Sequence, residues 1–273
     1  YQKMRALIIY LVISAVFIGC TPILSIDAST QNVYHFSDTD KNISLLDISE
    51  TFGTYDGSFV LYDNNLDSWK IYDLEEATKR IPPESTYKIY DALLGLESGI
   101  ITPEHSSMTW NGDAFPFPSW EADQDLNSAM QNSVNWYFQA IDSQLGINRV
   151  QEFLNKIEYG NQTTSSNLDL YWSDFSLKIS PLEQVTLLKK FNTNEFHLNS
   201  QNVFSVKNAI KIASTPNGNF YGKTGTGRVN GQDINGWFIG YVETSDNSYY
   251  FATNIQSDSN ATGKKALEIT SAI

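Results

Sequence analysis

The stretch Pro82-Pro83-Glu84-Ser85-Thr86-Tyr87-Lys88-Ile89 decides how this chain is read. Two prolines end whatever precedes them, because each fixes φ and removes an amide donor. Glu-Ser-Thr then starts a helix whose apolar positions, Ile89, Ala92, Leu93 and Leu96, recur at helical spacing. Ser85 and Lys88 stand three apart and share one face. A serine hydroxyl is a weak nucleophile until a base takes its proton. A lysine amine one turn away is such a base where burial suppresses its charge. The plainer alternative is a capping serine beside a solvated lysine, and Ser-x-x-Lys alone does not separate the two.

Working outward, 273 residues suffice for one substantial core, or for one domain with an appendage. The net charge of −13 argues against a nucleic-acid partner, since phosphate contacts need clustered Lys and Arg. A single cysteine, Cys20, excludes an intrachain disulfide and a cysteine-based metal site. His35, His105 and His197 are scattered, with no His-Glu-x-x-His pattern, so no metal site is expected in this chain. Spacing alone leaves a Ser-His-Asp triad open, but each histidine reads more simply as a surface or loop residue.

Residues 6–26 carry no charge and are long enough to span a bilayer. Lys3 and Arg5 precede the run, which puts its N-terminal side in the cytoplasm and all that follows outside the cell. Three readings compete: a transmembrane anchor, a signal peptide, or a lipoprotein signal with Phe17-Ile18-Gly19-Cys20 as the lipidation box. Length and flanking charge favour the anchor, as does a start at Tyr1, which suggests part of a longer polypeptide. The expected organisation is a membrane segment over 1–28, a polar linker over 29–50 and a folded domain over 51–273.

In that domain, Gly53 to Tyr62 and Trp69 to Tyr72 read as a β-hairpin around Asp63-Asn64-Asn65-Leu66-Asp67. The middle, about 85–215, is helical with polar interruptions: Leu126 to Leu145, Ile147 to Ile157, Leu182 to Phe191 and Val203 to Ile212. Pro116-Phe117-Pro118-Ser119-Trp120 is a rigid aromatic loop. Strands return at Phe220 to Gly225, Asn235 to Val242 and Ser248 to Ile255, with a hairpin turn at Thr244 to Asn247 and a closing helix over 262–273. Strands at both ends with helices between predict an α+β fold, the early hairpin joining the late strands in one central antiparallel sheet.

Two further trios bear on chemistry. Lys223-Thr224-Gly225 on a strand offers a cation and a hydroxyl for a carboxylate, and its glycine lets a ligand backbone approach. Ser133-Val134-Asn135, in helix-like sequence, offers a serine that passes a proton to a leaving amine. Taken alone, Lys223 is a solvated edge lysine and Ser133 a helix surface residue; in this order with Ser85 and Lys88 the three are far more specific.

Together these trios resemble the three motifs of the penicillin-recognising serine proteins, and the class D (oxacillinase-type) β-lactamase branch in particular. Residues 83–99 look like that branch's active-site helix. Tyr159-Gly160-Asn161 resembles its Tyr-Gly-Asn motif, Trp172 with Ser176-Leu177-Lys178-Ile179-Ser180 its omega-type loop, and Gly236-Trp237-Phe238-Ile239-Gly240 the strand after Lys-Thr-Gly. The resemblance implies a central antiparallel sheet flanked by helices with a helical lobe, and acyl transfer from a β-lactam to Ser85. By the same resemblance Lys88 is N-carboxylated by CO2 and Trp172 hydrogen-bonds the carbamate. The backbone N–H groups of Ser85 and Thr226 hold the oxyanion, Ser133 relays the proton, and Lys223, Thr224 and Gly225 hold the drug carboxylate.

Two departures point to another branch. Class D hydrolases usually carry valine where this chain has Asn135, and a carboxylate-binding arginine where the nearest candidate here is Lys264. With the N-terminal apolar run, the pattern is similar to the extracellular sensor domain of the β-lactam-sensing transducers that induce penicillinase and methicillin resistance. That resemblance implies a cell-membrane protein, β-lactam antibiotics as ligands, and a zinc metalloprotease upstream in the same polypeptide. Asn135 would modulate the site by bonding the Lys88 amine and favouring its uncarboxylated form, so that the acyl-ester persists. The alternatives are an active class D β-lactamase anchored through Cys20, and a non-catalytic peptidoglycan-binding module.

Overall fold

The computed structural model describes residues 42–273. The expected membrane segment and most of the expected linker lie outside those residues. Among the described residues no helix is long and apolar enough to cross a membrane.

Seven strands form one sheet: β1 (Ile43–Leu45), β2 (Asp56–Asp63), β3 (Ser68–Tyr72), β4 (Lys211–Thr215), β5 (Gly218–Val229), β6 (Gln232–Glu243) and β7 (Ser248–Gln256). Their spatial order is β1-β3-β2-β7-β6-β5-β4. The early hairpin does join the late strands, because β2 runs antiparallel to β7 over eight paired positions from Asp56↔Gln256 to Asp63↔Tyr249. The sheet is not wholly antiparallel: β1 pairs parallel with β3. Residues 43–45, expected within the linker, are thus an edge strand, held by Trp69 N donating to the Asn42 carbonyl and Leu46 N to that of Ile71.

Side chains alternate across the sheet with period two, so each strand feeds two cores. On one face Val60, Tyr62, Ile71, Trp237, Ile239, Tyr241 and Ala252 pack against most of the helices. On the other, Phe59, Leu61, Phe220, Phe238, Phe251 and Ile255 pack against Phe52, Ala266 and Ile269. The latter three come from α1 (Ser49–Phe52) and the C-terminal helix α9 (Gly263–Ala272).

The helical side holds α2 (Leu74–Thr78), a 3-10 turn (Glu84–Tyr87) running into α3 (Lys88–Glu97), α4 (Leu126–Gln131), α5 (Asn135–Leu145), α6 (Ile147–Ile157), α7 (Pro181–Asn192) and α8 (Ser200–Ala209). Helix α7 starts on a capping box in which Glu183 N donates to Ser180 Oγ and Ser180 N to Glu183. Glu183 also takes the Arg80 guanidinium, fixing the entry to the Pro82–Lys88 stretch.

Two helical expectations are corrected. The run Leu126 to Leu145 is broken: Ser133 has φ 55, and Val134 is extended before α5 begins. Trp120 Nε1–H donates to the freed Asn132 carbonyl (2.9 Å), which compensates the break. The helix expected to reach Ile212 stops at Ala209, because β4 pairs with β5 from Lys211 onward and Gly222 N caps the Ile210 carbonyl.

Candidate active site

Four elements, the first two of them contiguous, meet around Ser85. The first is the 3-10 turn itself, pinned from beneath: Trp237 Nε1–H and Asn235 Nδ2–H both donate to the Pro82 carbonyl, at 2.8 and 3.0 Å. Thr86 Oγ1 donates to the Pro83 carbonyl (2.6 Å) and accepts from Gln184 Nε2 (2.9 Å). Glu84 sits at φ 51, in the left-handed region that a non-glycine residue adopts at a cost. Its side chain is buried against Asn235, and burial pushes its carboxyl up to about 8.

The second segment is the start of α3. Lys88 is fully buried, and its Nζ donates to Ser85 Oγ at 2.8 Å and to Asn135 Oδ1 at 2.7 Å. Its Nζ faces the rings of Trp172 and Phe138, 5.4 and 5.6 Å from the ring centroids. Burial, with help from the Lys223 charge, drives Lys88 well below the usual lysine range. A largely neutral amine against the serine hydroxyl is what a base at this position requires.

The third segment is the break before α5. Because Ser133 adopts the left-handed conformation, its hydroxyl meets Lys223 Nζ at 2.8 Å instead of pointing off a helix surface. Asn135 opens α5 and reaches Lys88. The fourth is β5. Lys223 is only 6% exposed, so it is no solvated edge lysine, and burial lowers its amine to about 7. Gly225 lies so close to the turn that an added Cβ would stand 3.2 Å from Ser85 N, tighter than most side chains tolerate. Thr226, the next residue, lines the same cavity as Ser85, and its Oγ1 is held by Gly263 N at the head of α9 (2.9 Å).

Ser85, Ser133, Asn135, Thr224, Gly225 and Thr226 line one cavity of about 570 Å3. Phe117 and Trp120, with Pro116 just before them in the chain, form its rim, as the rigid aromatic loop in the sequence suggests. Lys88 and Lys223 stand behind that wall and act through the serines they touch. Lys264 is exposed and is not part of the cavity wall, whereas Arg228, paired with Asp233 at 2.8 Å, is. Arg228 lies five residues after Lys223 on the same strand, an odd spacing that sequence inspection does not single out.

The Tyr-Gly-Asn motif has a bracing role. Asn161 Oδ1 accepts from Lys178 N and its Nδ2 donates to the Ser176 carbonyl. Gly160 has φ 48 and packs against the Lys178 carbonyl with no room for a Cβ. The braced loop carries Trp172, whose carbonyl accepts from Glu84 N (3.0 Å).

The arrangement also bears on N-carboxylation of Lys88. The pocket is dry enough to favour a free amine, but Nζ already bonds Asn135 Oδ1, and the buried acid Asp91 lies one turn on. A carbamate would add an anion among acceptors, so the residues present do not fit the group.

A profile of the penicillin binding protein transpeptidase domain matches residues 49–273. The regulatory protein BlaR1 of Bacillus licheniformis is 45% identical over 270 residues, which are 98% of this chain and 44% of that protein. The chain thus spans less than half the length of the curated relatives it matches first. Among solved structures, the C-terminal domain of the Bacillus licheniformis BlaR penicillin-receptor superposes with TM-score 0.82 at 45% identity, covering 87% of this chain and 96% of that one. The class D β-lactamase BAT-2 gives TM-score 0.78 at 35% identity, over 83% of this chain and 93% of that one.

Proposed function

The chain belongs to the family of penicillin-binding-protein transpeptidase domains, sharing its fold with a BlaR penicillin receptor and class D β-lactamases, and on that premise we propose that it is a β-lactam sensor acylated at Ser85. The observation that carries the reading is Lys88 Nζ suspended between Ser85 Oγ and Asn135 Oδ1.

The Ser85–Lys88 contact supports acylation at Ser85. Lys88, as a free amine, takes the Ser85 proton while Oγ bonds to the lactam carbonyl carbon. The N–H groups of Ser85 and Thr226 receive the developing oxyanion, each worth about 2.7–4 kcal/mol in comparable sites. As the C–N bond breaks, Ser133 gives its proton to the lactam nitrogen and is resupplied from Lys223. Thr224 and Arg228 on the cavity wall supply a hydroxyl and positive charge toward the ligand carboxylate, and Lys223, behind Ser133, adds its charge from there. Hydrolysis of the ester then needs a base. Asn135 Oδ1 stabilises the protonated Lys88, which cannot activate water, so the ester persists. A long-lived ester suits a receptor and not a hydrolase.

The test is intact mass after brief exposure to a labelled penicillin. A stable adduct on the parent, absent in Ser85→Ala, is expected. Rapid drug turnover would replace the sensor by a class D hydrolase. No adduct and no turnover would leave a peptidoglycan-binding module.

The proposal extends to parts outside the described residues. Residues 6–26 anchor the chain in the cell membrane, the domain lies on the outer side, and a zinc metalloprotease precedes it. Protease added to intact cells should digest the domain, and full protection until lysis would refute that orientation.

A further inference from the structure

Behind the Ser85–Lys88 pair lies a second ionisable cluster that acylation does not use. Asp91, one turn after Lys88 on α3, and Asp142, two turns after Asn135 on α5, are both completely buried. The two helices are packed closely along this seam: a Cβ on Gly95 would stand 3.0 Å from Ile141. Among the described residues no N–H or O–H group donates to any of the four carboxyl oxygens by normal geometry. The carboxyls lie within interaction range of each other, and Asp142 within range of the Tyr171 hydroxyl.

Two acids facing each other in a dry seam cannot both ionise. Burial raises both, and their mutual repulsion raises Asp91 further. A single proton held between them, one carboxyl donating to the other, satisfies the geometry and leaves one negative charge. Among the described residues, Lys88 is the cation whose charge acts on Asp91. The other groups that face the cluster are the hydroxyls of Tyr87 and Tyr171, held neutral by burial, with Asp169 acting on Asp142 from farther out. Lys88 in turn feels Glu84 and Lys223 from the turn and from β5.

We propose that Asp91 and Asp142 form a proton-sharing pair whose single charge holds Lys88 in its ammonium form after acylation and repels its N-carboxylate, so that they are positioning residues for the lifetime of the ester. This rests on the receptor reading above and deepens it: Asn135 offers a dipole at the tip of Lys88, while the pair supplies a full charge beneath it.

The test uses Asp91→Asn and the double variant Asp91→Asn/Asp142→Asn, which keep shape and remove charge. Adduct decay should quicken by about tenfold or more, the change that about 1.4 kcal/mol off the barrier produces. In 13C-bicarbonate a carbamate carbon signal should grow. The acid limb of the acylation pH profile should move lower by about one unit, because removing a nearby negative charge lowers the pH at which Lys88 becomes a free amine. Uniformly slower acylation with an unmoved limb and unchanged decay would mean that the pair is only structural, and would overturn the proposal. Carboxyl-carbon NMR of the parent, labelled at aspartate, decides independently if the variants do not fold. One aspartic carboxyl should keep its proton at pH 7, and full ionisation of both would overturn the pair. A parent that forms no adduct would sink the receptor reading while leaving the carboxyl spectrum interpretable.

Discussion

In the proposed sensor, Asn135 is the residue on which the difference between receptor and hydrolase turns. Replacing it by valine removes the acceptor from Lys88 Nζ and leaves an ammonium buried without its partner. The free amine is then favoured and CO2 can add. We predict that Asn135→Val speeds decay of the penicillin adduct by about tenfold, and further with bicarbonate. Mass-resolved decay under both conditions measures it, and an ester as long-lived as the parent's would clear Asn135 of this role. Glu84 gives a second prediction at the same scale. Its carboxyl is raised from 4.5 to about 8 in the folded protein. The folded state therefore binds more protons than the unfolded state between those values, and stability contributed by the neutral acid is lost as pH rises through that window. Glu84→Gln, which stays neutral, should gain in Tm relative to the parent progressively from pH 4.5 to 8 and no further. A difference that is constant with pH would show that Glu84 does not titrate there.

At the scale of elements, the omega-type loop shows how a motif without chemistry serves a site. Gly160 lets the chain turn under the Lys178 carbonyl, and Asn161 ties both ends of the loop that carries Trp172. Gly160→Ala forces a side chain into a left-handed conformation and against that carbonyl. It should cost about 1–3 kcal/mol from the backbone alone. It should also slow acylation, because Trp172 and the Glu84 amide move with the loop. Thermal melting and the acylation rate check the two effects, and normal acylation in a destabilised variant would confine the brace to folding. The helix at 126–145 shows what periodicity misses. Apolar spacing continues through Asn132-Ser133-Val134, so sequence alone reads one helix, and only the indole of Trp120, twelve residues upstream of Asn132, supplies the partner that makes the break affordable. The break is what aims Ser133 at Lys223. In the same way Ser85, Lys88 and Lys223 were legible because their trios have fixed local spacing. Arg228 and the Asp91–Asp142 seam were not, since they depend on which strand and which helix come to face each other.

For the molecule as a whole, the sheet is covered on both faces, and the smaller core depends on α9. Ile269 is 4% exposed against Phe and Ile side chains of the sheet. Ile269→Ala should cost about 2–5 kcal/mol, and Gly263, which holds Thr226, belongs to the same helix. Loss of α9 packing should therefore loosen β5 at Thr226 as well as lower the denaturation midpoint, which acylation kinetics in low urea would reveal. An unchanged midpoint would show that the second core does not depend on this side chain. The α+β fold is legible at this scale because strand-rich ends and a helical middle are composition-level signals. The parallel edge strand β1 was hidden because three residues carry too little pattern.

That edge strand gives the domain a mechanical character. The chain enters the described fold at β1, at one border of the plate, while β5 lies next to the opposite border. Five interstrand steps separate them, about 24 Å. Tension applied at residue 42 therefore loads a three-residue ladder first. In an optical trap pulling on residues 42 and 273, β1 should peel away at low force as a small early extension, before the main rupture. The pocket around Ser85 should still accept penicillin in that peeled state, like a lock that keeps working after its hinge has slipped.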